Sequence, residues 1–445
     1  MGGFALGSLT ASCENTRAVS SPHAQSQQPG MNRVLFLLSL SVLINYIDRS
    51  NLSIAAPLLQ TELGISNTQL GTLLSAFFWT YALMQIPAGW LVDRFDVKWV
   101  FGIGFFVWSL ATAVTGVLHG FLMLLGIRVI LGIGESVAFP SYSKILYGHF
   151  REEHRGFANA LIIAGLALGP AIGILVGGNV VAKFGWRPFF LALGFASLLW
   201  LGPWAAWMPR RDASAPVPAS LWSGWLPLFR QRSVWGTALG QACVNYILYF
   251  MVTWLPSYLV RGRHLSMQKM AAEGGLCFFM YAITATVCGK FSDRWIRAGS
   301  SPTLVRKGTM TAGCAGVGIA LLLTATASDR FFPGMLALTG MAMGIAACAT
   351  WAIPQTLAGP ERVGRWTGLQ NFVGNLGGAV APALTGYLLD RTGNFYWPFF
   401  ITAAVAGLSA IAWSLVVGPI EPVNWETSPA RASIVPSPAA SASLP

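Results

Sequence analysis

Stretches of about twenty apolar residues, the helix length that crosses ~30 Å of hydrocarbon, recur from one end of this 445-residue chain to the other. No other feature restricts the fold so severely, because inside a bilayer only helices and closed barrels satisfy every backbone amide. Twelve spans are read, at 32–56, 70–91, 97–117, 121–147, 156–181, 186–207, 233–259, 269–296, 306–326, 333–355, 364–389 and 396–418. A barrel is excluded by the lack of ten-residue alternating segments. Composition agrees, since 54% of residues are hydrophobic and 10% charged, where soluble domains carry roughly a quarter charged. Prolines inside the spans (Pro87, Pro140, Pro170, Pro354, Pro382) are tolerated where neighbouring helices re-satisfy the freed backbone.

A net charge of +12 raises the question of nucleic acid, and the placement of the cations answers it. Alternate loops, those holding Arg94, Lys98, Arg151, Arg210, Arg211, Arg294 and Arg365, carry most of them, so no nucleic-acid partner is expected. By the positive-inside bias that face is cytoplasmic, with both termini on it. The six cysteines lack metal-ligand spacing and suggest buried structural roles. All five histidines fall in tails or loops, and no HExxH or GxSxG is present, so neither a membrane enzyme nor a metal or organic cofactor is expected. Residues 1–31 and 419–445 read as disordered cytoplasmic tails.

The spans repeat. GWLVDRF (89–95) follows the second and GKFSDRW (289–295) the eighth, while GLALGPAIGILVGGNVVAKFGWRPFF (165–190) and GNLGGAVAPALTGYLLDRTGNFYWPFF (374–400) close the two halves alike. Six spans restore orientation, so the repeat is parallel, about an axis along the membrane normal. The expected fold is therefore an all-α membrane protein of twelve transmembrane helices in two six-helix, pseudo-symmetric halves, 32–207 and 233–418, joined by a cytoplasmic linker, 208–232. Such a layout places a substrate site between the halves near mid-membrane.

Ionisable side chains deep in a span cost about 2.5–3.5 kcal/mol each on insertion scales and persist when paired or facing water. Four stand out: Asp48, Arg49, Arg128 and Glu135. Glu135 follows Arg128 by seven residues, about two helical turns, so the two share a face, and Gly132 and Gly134 between them allow close approach by a helix or ligand. Asn45 and Arg49 share a face of the first span, with Tyr46 beside them. One reading is a salt-bridge lattice that only joins two spans. The other has the arginines attract a carboxylate while Asp48 and Glu135 take up protons, the coupling carried by competition for the arginines. Gln241 and Asn371 are polar groups in hydrocarbon that need partners.

The G-x-x-x-D-R signature, its echo in the second half and the 6+6 layout resemble the major facilitator superfamily. YIDRSNLSIA (46–55), SAFFWTYALMQIPAGWLVDR (75–94) and GIRVILGIGESVAFP (126–140) are similar to its anion:cation symporter branch, which includes bacterial sugar-acid transporters. That resemblance implies a proton-coupled symporter importing a small organic anion, a sugar acid or related carboxylate, across the bacterial inner membrane by alternating access, acting as a monomer with the proton as its coupling ion. It implies Asp48 and Glu135 for protonation, and Arg49, Arg128, Tyr46, Tyr81, Gln241, Trp351 and Asn371 for substrate. Asp93, Arg94, Asp293 and Arg294 would form the inner gate. Leu166 stands where galactonate-type relatives carry a substrate-binding glutamine, and Asp96 replaces a loop glycine. An aromatic or other monocarboxylate symporter and an organic-anion exchanger remain open, with a non-transporting sensor more remote.

Overall fold

The computed structural model describes residues 31–149, 152–209, 225–359 and 362–425, which hold helices and no strand. The first half comprises α1 (Met31–Leu63), α2 (Asn67–Leu83 continued by Gln85–Arg94), α3 (Val97–Thr115) and α4 (Phe121–Ser136 with Ala138–His149). It is completed by α5 (Glu152–Ile172, through Gly173–Gly177 into Gly178–Phe184) and α6 (Trp186–Leu198 with Leu201–Trp207). The second half comprises α7 (Arg232–Ser257, extended by Tyr258–Gly262), α8 (Met267–Arg297), α9 (Pro302–Thr326) and α10 (Phe332–Ala347 with Ala352–Ala358). Last come α11 (Val363–Thr392) and α12 (Tyr396–Ile411, extended by Ala412–Val416). Ten of these, α3 to α12, are long and apolar enough to cross a membrane by composition alone. The other two fall short for visible reasons: α1 carries Asn45, Asp48, Arg49, Ser50 and Asn51 in its middle, and α2 breaks at Met84.

Local chemistry sets the ends. Ser66 and Gln69 form a reciprocal capping box at the start of α2, just after Gly64 turns the chain at φ +62°. Asp96, in place of the loop glycine, accepts from the Lys98 amide and so caps α3. Ser266 caps α8, and Gly393 ends α11 in the left-handed conformation.

Within the linker, Trp225–Arg230 is a short helix. One expectation needs correction, at the C-terminus. The C-terminal tail does not begin at 419: the Val423 amide donates to the Leu357 carbonyl, the Trp425 indole donates to the Ala358 carbonyl, and Ile420 is buried. The remainder of both tails and most of the linker lie outside the described residues.

Twelve crossings put both ends of the bundle on one face, called here the termini face. Two hydrophobic cores fill the molecule. One lies almost wholly within the first half and gathers Leu38, Phe101, Phe105, Trp108, Tyr142 and Trp204, toward the termini face. The other spans both halves, taking Leu52–Leu59, Leu70–Leu74 and Ile174–Phe190 from the first half together with the interior of the second. The halves therefore share a core toward the face opposite the termini, here the far face. Their seam runs along α2 and α11, where Gly71 and Gly386 let the backbones meet, and along α5 and α8, where Gly178 abuts Ala271. Ser75 donates to the Ala379 carbonyl across it at 2.5 Å. On the termini face, the repeated glycines Gly89 and Gly289 face open space. The bonds Arg49–Tyr249, Ser53–Val252, Ser75–Ala379 and Asn67–Asp390 join the halves from mid-bundle to the far face, whereas on the termini face the described glycines Gly89 and Gly289 have no neighbour from the other half.

Candidate functional site

The charged residues come together where the two cores meet. Asp48, Arg49, Arg128 and Glu135 are 0, 5, 4 and 0% exposed, so all four are taken out of solvent. Gly132 makes this possible, because any side chain there would collide with the Phe77 carbonyl, Thr80 and the Tyr81 amide of α2; Gly134 brings α4 equally close to α3 at Trp108. The glycines between Arg128 and Glu135 thus serve helix approach and lay the charged face of α4 against α1 and α2.

Arg49 is the centre of the cluster. Its Nε donates to Glu135 Oε2 at 3.2 Å, and its Nη1 donates to the Tyr249 hydroxyl of α7 at 2.8 Å. Three rings surround its guanidinium carbon, Tyr81 at 4.5 Å, Tyr46 at 4.8 Å and Phe77 at 5.1 Å. Gly169 of α5 packs directly on Tyr46 and holds that ring in place. Arg49 therefore ties a carboxylate of its own half to a hydroxyl of the other.

Arg128 differs. It makes no hydrogen bond among the described residues; its Nε is fully enclosed, and its guanidinium lies 5.6 Å from the Phe77 ring. Glu135 Oε1, Arg49 Nη2, Asp48 Oδ2 and both amide atoms of Asn45 are likewise buried without partners. Native interiors leave few such groups unpaired, which makes the cluster a candidate place for water or a ligand.

Asp48 is within electrostatic reach of Glu135 and Arg128 but is hydrogen-bonded elsewhere. One helical position from Arg49, it turns toward α3, where Oδ1 accepts from Thr112 Oγ1 at 3.3 Å and from Asn51 at 3.2 Å. It sits behind the cluster, inside the first half.

Between the halves lies a small hollow lined by Tyr46, Arg49, Leu166, Pro170, Leu248, Tyr249, Val252 and Tyr281. Leu166 faces it, so the residue that breaks the galactonate-type pattern is on the wall of the candidate site. Tyr249 and Tyr281 were not anticipated. The signal for Tyr249 was present: Gln241, Asn245 and Tyr249 recur every four residues, a polar stripe on one face of α7.

Along that stripe, toward the termini face, Gln241 donates to Asn245 at 2.8 Å, and Gln370 of α11 donates to the Thr350 carbonyl at 3.2 Å and to Gln241 at 3.5 Å. Gln241 thus belongs to a buried amide network with the polar step of α10. Asn371 instead accepts from Asn375 through its backbone carbonyl, and Trp351 lies in the step between the segments of α10; among the described residues no hydrogen bond joins either to the arginines.

Of the expected gate, Arg94, Asp293 and Arg294 are exposed on the termini face, and the Asp93 side chain lies outside the described residues. A latch occupies the far face instead, and sequence reasoning missed it. Asp390 of α11 accepts from the Asn67 amide at 3.0 Å, the Asn67 side chain at 2.8 Å and the Thr68 amide at 2.7 Å, capping α2 from the opposite half. Arg261 of α7 adds bonds to Gln60 and Asn67.

A family model described as Major Facilitator Superfamily matches residues 38–380 and 303–444. A protein of Cupriavidus necator named as a probable sulfoacetate transporter is 32% identical over 88% of the chain and 94% of its own length. The hexuronate transporter of Bacillus subtilis is 30% identical, with 87% and 94% covered, and the D-galactonate transporter of Escherichia coli 29%, with 89% and 98% covered. In three dimensions the chain is similar to a bacterial homolog of the human lysosomal transporter Spinster, crystallised inward-facing and unoccupied. The TM-score is 0.73 at 19% identity, covering 88% of this chain and 98% of that one.

Proposed function

The chain belongs to the Major Facilitator Superfamily, an integral membrane transporter and not an enzyme, and from that premise we propose that it imports a small organic anion together with protons by alternating access. One observation carries the reading: Arg128 is enclosed beside the Arg49–Glu135 pair with no hydrogen-bond partner of its own. A planar guanidinium is suited to grip a carboxylate or sulfonate through two parallel bonds. An anion seated there would also compete with Glu135 for Arg49. A carboxylate that loses its cation in a dry site takes up a proton more readily, which links substrate and proton. Asp48, bonded to Thr112, is the second proton acceptor, held within the first half. In this reading the termini face is the cytoplasm of a bacterial cell, and the protein works as a monomer.

The hollow favours an anion with few hydroxyls. Its walls are Leu166, Pro170, Leu248, Val252 and tyrosine rings, and no amide stands at position 166 to meet a sugar hydroxyl. The apolar wall is compatible with a short sulfonate or carboxylate of the kind named for the Cupriavidus relative; at about 10 Å³ the hollow has to widen before such an anion can enter.

Proteoliposomes loaded with the purified protein and offered sulfoacetate, galactonate, glucuronate and benzoate test this, with and without an inward proton gradient. Gradient-driven uptake is expected for at least one, lost in Arg128→Ala and uncoupled from the gradient in Glu135→Gln. Uptake indifferent to both substitutions overturns the reading.

A further inference from the structure

Cys288 on α8 donates its thiol hydrogen to the sulfur of Cys348, at the end of the first segment of α10, across 3.3 Å. Both are partly exposed, whereas Cys243, Cys277 and Cys314 are buried, so the expectation of uniformly buried structural cysteines fails at this pair; Cys13 lies outside the described residues. Cys288 follows Tyr281 by seven residues, about two turns, and so shares its face. Tyr281 lines the hollow beside Arg49. Cys288 therefore stands on the same wall about 10 Å nearer the termini face. Cys348 begins the non-helical step, residues 348–351, that separates the segments of α10 and contains Trp351.

We propose that Cys288 and Cys348 are a redox-responsive thiol pair, which closes to a disulfide and pins the step of α10 to α8. Bonded sulfurs lie ~2.05 Å apart, so closure asks for roughly 1.2 Å of approach, which side-chain rotation beside a non-helical step supplies. The oxidant is a hydroperoxide. The thiolate of one cysteine attacks the peroxide O–O bond, forming a sulfenic acid and releasing water from hydrogen peroxide. The second thiolate then displaces hydroxide from that sulfur, which leaves as a second water. Two electrons pass from the sulfurs to the peroxide, and a dithiol reductant returns them. In a thiol-reducing compartment the pair rests reduced and its oxidation is transient. The linked step can no longer bend freely, so the segment Ala352–Ala358 is held to α8.

The test uses the full chain in lipid nanodiscs, treated with hydrogen peroxide, digested without reduction and mapped by mass spectrometry. A Cys288–Cys348 linked peptide is expected, removed by dithiothreitol and absent from Cys288→Ser and Cys348→Ser. Hydrogen exchange of the Ala352–Ala358 segment should slow several-fold on oxidation in the unsubstituted chain and not in Cys288→Ser. Thiols that stay free, that oxidise separately to sulfinic acid, or that pair with other cysteines overturn the proposal. So does an exchange rate that changes equally in Cys288→Ser.

Discussion

Arg49 answers to both halves at once, through Glu135 on α4 and Tyr249 on α7. Hydrogen bonds to charged groups contribute about 1.5–3 kcal/mol net. Tyr249→Phe keeps the ring against Phe78, 4.3 Å away between centroids, and removes only the hydroxyl. The far-face-sealed conformation should then lose roughly tenfold or more in population, read as a longer distance between spin labels in the 116–120 and 327–331 turns. An unchanged distance distribution would show that the bond is not part of the seal. Leu166→Gln tests the hollow itself. An amide on that wall costs about 1–3 kcal/mol unless a substrate hydroxyl meets it. Uptake of a hydroxyl-poor anion should fall about tenfold while that of a hydroxylated one falls less, compared as competing labelled substrates. Much at this scale was legible in the sequence, because a charge inside hydrocarbon cannot be there idly: Arg49, Arg128 and Glu135 were singled out and do gather. Tyr249 and Tyr281 were not, since a tyrosine in an apolar helix carries no sign of whether its hydroxyl is needed.

At the scale of elements, the spans were legible and their joints were not. Hydropathy gave all twelve helices to within a few residues at most ends, because length and apolarity are one-dimensional properties. It read 333–355 as continuous, yet α10 steps aside at 348–351, and nothing in the composition of CATW announces a break. Glycines occupied an intermediate position. Gly132 was recognisable as a point of close approach, but only the packed structure names the Phe77 carbonyl as what approaches. Backbone cannot step away as a side chain can. Gly132→Val should therefore cost about 1–3 kcal/mol or more as overpacking, seen as a lowered unfolding temperature in detergent and reduced uptake. Gly126→Val, on the same helix, is the control: nothing lies within 4 Å of its added carbon, so its unfolding temperature should stay near the parent value. Equal losses at both positions would mean that helix propensity, not the α2–α4 contact, dominates.

For the molecule as a whole, the question is what holds the far face shut. The apolar seam of α2 on α11 supplies area, but a transporter must also break it, so a seal made only of packed glycines would have no obvious trigger. Asp390 supplies a polar component at the outer edge. Its carboxylate meets the positive end of the α2 dipole and two of its unpaired amides, an arrangement that favours negative charge by about 0.3–1 kcal/mol at an exposed position. Both partners sit on opposite halves, so the bond exists only while the far face is closed. Asp390→Asn keeps the size and one acceptor but removes the charge. It should shift the resting equilibrium toward far-face opening by roughly two- to fivefold, the equivalent of about 0.3–1 kcal/mol. Ser53 donates to the Val252 carbonyl across the seam and lies beneath the latch, which makes it a reporter. With the natural cysteines replaced by serine, a cysteine at position 53 should react faster with a membrane-impermeant maleimide from the far face once Asp390 is neutralised. If the rate does not change, the seal rests on the glycine seam and the other polar bonds across it, and the carboxylate merely caps a helix that happens to belong to the other half.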